Sequence, residues 1–199
     1  MAVKPNIFPT LLPSISKKLR ENNSLVVSIA AGKTIDFIES LLGYEAPVIR
    51  VMPNINATVL EAMSAYCCSD AVTDDQKEFV NKLCSSFGKA MPLSESYFPL
   101  FCSIAGCAPA YAYMFIDSLA RSAVKNGMNK SMALEIAAQT VLGSAKKILE
   151  SDEHPWELID KVCSPGGTTI EGVVSLQKDG FESAVCNAVD AALQKDKKV

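Results

Sequence analysis

The 199-residue sequence has one histidine, His154, and its seven cysteines, at 67, 68, 84, 102, 107, 163 and 186, include no C-x-x-C pair. That leaves no plausible ligand set for zinc, and no metal site is expected. Several of the cysteines fall on apolar faces, which reads as reduced core thiols in a cytoplasmic protein. No stripe of lysine or arginine runs through the chain, whose net charge is −3. Nucleic acid is therefore not an expected partner. The only basic cluster is Lys195, Lys197 and Lys198, read as a solvated helix end. No signal peptide and no apolar run of membrane-spanning length stands out, so no membrane partner is expected either. The ten glycines contain no G-x-G-x-x-G.

What is present is an ordinary globular composition, 49% apolar and 21% charged, long enough for one full core or two small domains. The first half alternates short β-rich runs with helical stretches. Ala2-Val3, Leu25–Ile29, Val48–Met52, Ala65–Cys68 and Lys89–Met91 read as strands, several apolar at consecutive positions and so covered on both faces. Residues 7–21, 34–42, 56–63 and 75–87 have helical character, the last opening after Thr73 with Asp74 and Asp75 in its first turn. Strand and helix in turn imply an α/β unit with a largely parallel sheet.

After Pro92-Leu93-Ser94 the periodicity is purely helical. One face carries Ala112, Phe115, Ile116, Leu119, Ala120, Ala123 and Val124, with Gly127 as its stop. A second helix carries Leu134, Ala137, Ala138, Val141, Leu142, Ala145, Ile148 and Leu149. A short helix follows from Pro155 to about Val162, another starts near residue 168, and the last carries Ala184, Val185, Ala188, Val189 and Ala192. Such broad apolar faces with no sheet of their own point to a core completed by a second subunit, with burial inside one chain as the competing reading. His154, just before a proline at a helix start, reads as structural.

Residues 163–172, Cys-Ser-Pro-Gly-Gly-Thr-Thr-Ile-Glu-Gly, carry the most chemistry. Pro165 ends what precedes it, and Gly166 and Gly167 allow backbone angles and close approaches that a Cβ forbids. The helix that follows turns its free N–H groups outward, and Ser164, Thr168 and Thr169 add hydroxyls, which together suit a carboxylate or phosphate. The segment taken alone is also compatible with a glycine-rich helix entrance capped by serine or threonine.

In order along the chain, Ser28-Ile29-Ala30-Ala31-Gly32, Arg50-Val51-Met52-Pro53-Asn54, Ala137-Ala138-Gln139-Thr140-Val141-Leu142-Gly143, Glu153-His154-Pro155 and Ser164-Pro165-Gly166-Gly167-Thr168-Thr169-Ile170 resemble the successive motifs of the pyrroline-5-carboxylate reductases. The resemblance runs from Val3-Lys4-Pro5 to the end of the chain. It implies a nucleotide-binding α/β domain followed by an all-helical dimerisation domain. Applied here, that is an α/β remnant of a Rossmann-type domain over residues 1–94 and an all-α dimerisation and substrate-binding domain over 95–199. It implies an oxidoreductase on CH–NH donors that reduces a cyclic imino acid to proline, the last step of proline biosynthesis, with NADPH or NADH. It also implies homodimers that assemble further, as far as decamers. Carried over by motif, Ser164, Gly166 and the N–H groups of Gly167 and Thr168 bind the substrate carboxylate, and the Thr169 hydroxyl sits on the ring nitrogen as the catalytic contact. Lys4, Pro5, Ser28, Ala30, Ala31, Met52, Pro53 and Asn54 fall in cofactor positions. Read without the resemblance, these are an αβ boundary, a strand end with small residues, and a Pro-Asn turn.

The chain departs from the family pattern in three places. With no G-x-G-x-x-G, the pyrophosphate turn and first βαβ unit are absent, and the chain is expected to start where the family's fourth strand ends. The alternative function is therefore a non-catalytic oligomerising remnant that keeps the carboxylate cradle without a cofactor site. Ala105-Gly106-Cys107-Ala108-Pro109-Ala110 stands where the family has Ser-Gly-Ser-Gly-Pro-Ala, with a kink still expected at Pro109. Leu60 and Ala62 replace glycines expected after Pro53-Asn54.

Overall fold

The computed structural model describes residues 1–196. The chain divides into two compact units, Met1–Pro109 together with the chain from Val189 onward, and Ala110–Ala188.

The first unit is built on a four-stranded sheet in the order β1 (Val26–Ser28), β2 (Val48–Met52), β3 (Ala62–Cys68) and β4 (Gly88–Pro92). β1 runs parallel to β2 and β3 parallel to β4, but β2 and β3 are antiparallel, with Arg50 opposite Cys67 and Met52 opposite Ala65. The sheet is thus mixed where a largely parallel one was expected. The reason is chain length: residues 53–61 are too few for the crossover that a parallel pair requires, roughly a dozen residues or more. The link also corrects the expected helix at 56–63. Ile55–Val59 form a single 3-10 turn, Leu60 stops it with φ +62°, and the strand is already under way at Ala62.

Three helices cover this sheet: α1 (Phe8–Glu21), α2 (Ile35–Leu42) and α3 (Asp74–Ser85). The Thr34 hydroxyl accepts from the Phe37 N–H to start α2, and Gly43 ends it at φ +75°. α3 opens on a full capping box, Thr73 and Gln76 each satisfying the other's backbone N–H. All five residues of β2 are buried, because Val48 meets Phe8, Leu12, Ile38 and Leu42 on one face while Ile49 and Val51 meet Val80 and Cys84 on the other. Ala2-Val3 is not a strand: Pro5 opens a 3-10 turn, Pro5–Ile7, that leads the chain directly into α1.

From Glu95 the chain is helical. A 3-10 turn (Glu95–Tyr97) leads into α4 (Phe98–Phe101), a π-turn (Cys102–Gly106) and α5 (Ala108–Lys125). Within this run of 31 residues an 18-residue window has a mean hydropathy of 1.4, long and apolar enough by length and composition to cross a membrane, although no such run was expected. Pro99 and Pro109 interrupt its helical pattern in the sequence, whereas the π-turn absorbs the break and keeps the pieces continuous. Helices inside soluble proteins can share these properties. Gly127, at φ +96°, ends the run as expected.

The remaining helices are α6 (Lys130–Leu149), α7 (Pro155–Val162), α8 (Thr168–Lys178) and α9 (Phe181–Asp196). Lys195 lies in the last turn of α9, whereas Lys197 and Lys198 lie outside the described residues. His154 caps α7: its Nδ1 accepts from the Trp156 N–H at 3.2 Å while Glu157 accepts from the His154 N–H at 3.0 Å, a structural role. Within the second unit the buried core is small, Ala120, Ala133 and Ala137 backed by Ile116 and Ala123. Met114, Leu142, Leu149 and Val162 are among the large apolar side chains left exposed.

Candidate functional site

In the second unit, Ser164–Gly167 is a tight turn. The Gly167 N–H donates to the Ser164 carbonyl at 3.0 Å, with Pro165 and Gly166 at the two central positions. Gly166 has φ +67°, the left-handed value that the third residue of a type II turn requires. Gly167 is needed for a different reason. A Cβ there would lie 2.4 Å from the Ser164 Oγ and 3.1 Å from its carbonyl oxygen. α8 starts immediately behind this turn, and no side chain caps it, because the capping position is Gly167 itself. Among the described residues the N–H groups of Thr168, Thr169 and Ile170 have no acceptor. Ser164, Thr168 and Thr169 are exposed in the single chain. The result is an open helix N-terminus, carrying the positive end of its dipole, with three hydroxyls beside it. The Gly167 N–H, expected to face a ligand, is spent inside the turn.

The other predicted residues gather in the first unit, at one edge of the sheet. Because β1 and β2 are parallel, with Ser28 opposite Arg50, their C-terminal ends lie side by side. This sets Ser28–Ala31 next to Met52–Asn54, and C-terminal strand ends are where open α/β sheets bind ligands. The Ile29 N–H donates to the Met1 carbonyl, which ties the segment leading to Lys4 and Pro5 to the end of β1. Lys4 and Ala31 are exposed, Pro5, Pro53 and Asn54 half-buried, and Ser28, Ala30 and Met52 buried. Ser28 closes its own turn by accepting from the Ala30 N–H at 3.4 Å.

Two arrangements here were not foreseen. Arg50 is buried under this edge, its Nη1 3.0 Å from Glu95 Oε1 and its guanidinium 4.5 Å above the Phe98 ring. The same Glu95 oxygen accepts from the Ile35 N–H at 2.9 Å, joining β2, the start of α2 and the 3-10 turn before α4. Asn54 uses both ends of its carboxamide on backbone: Nδ2 donates to the Ala105 carbonyl at 3.0 Å and Oδ1 accepts from the Met63 N–H at 3.3 Å. The motif Arg50–Asn54 marked the region, but partners 45 and 51 residues away carry no local signal.

A cavity of about 440 Å³ elsewhere in the first unit is lined by Asp36, Glu39, Glu45, Cys67, Asp70 and Glu95 and contains none of the predicted site residues. Burial raises two of the lining groups: the Glu39 carboxyl is raised, and the Cys67 thiol is pushed up to about 12, with nearby Glu95 adding to the effect on Cys67. Cys67 is therefore a thiol and not a thiolate at neutral pH.

Residues 95–199 match the family model for pyrroline-5-carboxylate reductase dimerisation. The whole chain is 42% identical over 198 residues to the pyrroline-5-carboxylate reductase of Escherichia coli strain K12, of which it spans 73%. The crystal structure of the Plasmodium falciparum pyrroline carboxylate reductase with NADP bound superposes with a TM-score of 0.90 at 36% identity, covering 99% of this chain and 79% of that one. The Streptococcus pyogenes 1-pyrroline-5-carboxylate reductase gives the same TM-score at 38% identity, over 100% of this chain and 74% of that one. With a family model matched over more than half its length, and relatives of this identity over its whole length, the chain belongs to the pyrroline-5-carboxylate reductase family.

Proposed function

We propose that this chain reduces 1-pyrroline-5-carboxylate to proline with NADPH or NADH, the last step of proline biosynthesis. The observation that carries the reading is the uncapped start of α8 directly behind the Ser164–Gly167 turn, in a chain of this family. A substrate carboxylate placed there receives the Thr168 N–H and the Ser164 hydroxyl, with the helix dipole favouring its charge. Gly166 supplies the turn, and Gly167 contributes room rather than a donor, since its N–H already serves the Ser164 carbonyl. The Thr169 hydroxyl takes the ring nitrogen. An imine accepts hydride best when that nitrogen is protonated or hydrogen-bonded, and a substrate that enters protonated needs no strong general acid.

The nicotinamide, when bound, supplies the hydride. Lys4, Pro5, Ser28, Ala30, Ala31, Met52, Pro53 and, through its main chain alone, Asn54 would hold that end of the cofactor, and the small side chains of Ala30 and Ala31 at the ends of parallel strands suit a flat ring. Residues 1–94 are read as the nucleotide-binding part and 95–199 as the dimerisation and substrate part. A homodimer is supported by the dimerisation match and by the small alanine core of the second unit, and further assembly toward a decamer belongs to the same proposal. Unpaired cysteines throughout support a cytoplasmic location.

Thr169→Ala is expected to lower kcat at least tenfold, a scale typical of losing one positioned polar contact in a transition state, with an unchanged circular dichroism spectrum. Unchanged kinetics in a folded variant would remove Thr169 from the chemistry. The second reading is an oligomerising chain that holds the carboxylate without turnover. Fluorescence titration separates the two, because a chain that does not bind NADPH at millimolar concentration is not acting as the reductase.

A further inference from the structure

Pro109 has no N–H, and its ring would press on the carbonyl four residues back. In an uninterrupted helix that carbonyl, Ala105, would be bonded from position 109. Here the ladder opens instead into the π-turn, closed by the Cys107 N–H on the Cys102 carbonyl at 3.0 Å. The orphaned Ala105 carbonyl receives the Asn54 Nδ2 at 3.0 Å. A half-buried carbonyl of this kind needs a donor, and Asn54 is suited to the task because its other end simultaneously serves the Met63 N–H near the start of β3. Aspartate would lose the donor and leucine both ends.

We infer that Asn54 is a positioning residue that pins the turn after β2 to the π-turn by bonding the carbonyl that Pro109 leaves without a partner. Everything in this link lies within the first unit. The kinetic part of the inference rests on the proposed reductase function. Met52–Asn54 forms part of the sheet edge assigned to the nicotinamide, so a slack link shifts that edge while leaving the cofactor's own contacts in place. Asn54 then acts through backbone, with its carboxamide already spent.

The test has two arms. In urea denaturation, Asn54→Ala is compared in the native and Pro109→Ala backgrounds. Alanine at 109 restores an N–H for the Ala105 carbonyl, so the midpoint lost on removing Asn54 should be at most about half as large there, the signature of a shared partner. Equal losses in both backgrounds would overturn the pairing. In steady-state kinetics, Asn54→Ala should lower kcat by about tenfold or more, as misplacement of reacting groups does, with the KM for NADPH within about twofold of native. A raised KM with kcat retained would show direct cofactor contact and overturn the positioning role, and unchanged kinetics would overturn it as well. Asn54→Asp, which keeps the acceptor for Met63 and loses only the donor, is run beside it and must show the same split. A native chain without turnover would refute the reductase reading and the kinetic role together, while the denaturation cycle still decides the pairing.

Discussion

Replacing Leu60 by glycine should stabilise this protein, although leucine is the larger and more apolar residue. Leu60 sits at φ +62° at the end of the Ile55–Val59 turn. Its N–H donates to the Ala57 carbonyl at 3.2 Å and the Glu61 N–H reaches the Asn56 carbonyl at 3.0 Å. That pair of bonds is a Schellman termination, with Leu60 in the position that glycine usually fills. A Cβ in left-handed backbone costs roughly 1–2 kcal/mol. The side chain recovers little of this, because Leu60 is 66% exposed. Glycine removes the strain but adds about 0.5–1 kcal/mol of unfolded-chain entropy. The balance is a gain centred on about 0.75 kcal/mol, which for a chain of this size raises Tm by roughly 1.5–3 °C. Differential scanning fluorimetry reads it, with Leu60→Ala as the control: alanine keeps the Cβ and should gain nothing. A glycine variant that melts lower than native, or an alanine variant that gains as much, would refute the strain argument.

Two further outcomes follow from packing and burial. Gly88→Ala should lose several kcal/mol or fail to fold, since Gly88 has φ +151° and an added Cβ would lie 2.2 Å from the Ala62 carbonyl oxygen at the β3–β4 pairing; a variant that melts within about 1 °C of native would contradict that geometry. Stability should also fall as pH rises above about 9, because burial raises the folded-state pKa of Cys67 from 9.0 to about 12 and raises Tyr66, Cys68, Cys84 and Cys102 as well. A raised folded pKa contributes stability that is complete below the unfolded value and lost as pH climbs through the folded one, so urea midpoints should decline from pH 9 toward 12, and a flat profile would count against it.

Local chemistry was legible in the sequence and distant pairing was not. Thr73 with Asp74 and Asp75, His154-Pro155, and Gly127 each signal a helix end within a few residues, and each is a boundary in the structure. The turn at 164–167 was readable for the same reason, because Pro165, Gly166 and Gly167 constrain one another directly. Residues 56–63 misled because Ile55, Val59 and Met63 repeat at helical spacing, while the bonds that end the turn at Leu60 depend on a backbone angle unusual for leucine. Arg50 with Glu95, and Asn54 with Ala105, are joined only by the fold. Leu60 lies between these cases: expecting a glycine there picks out the position, and only the backbone explains why.

The second unit's few buried alanines have a consequence in terms of mass action. In the homodimer proposed above, where a second copy covers large apolar side chains of this unit, stability depends on how much protein is present. For Ala110–Ala188, melting temperature is then a function of concentration as well as sequence, and dilution acts on it as a denaturant acts on a monomer.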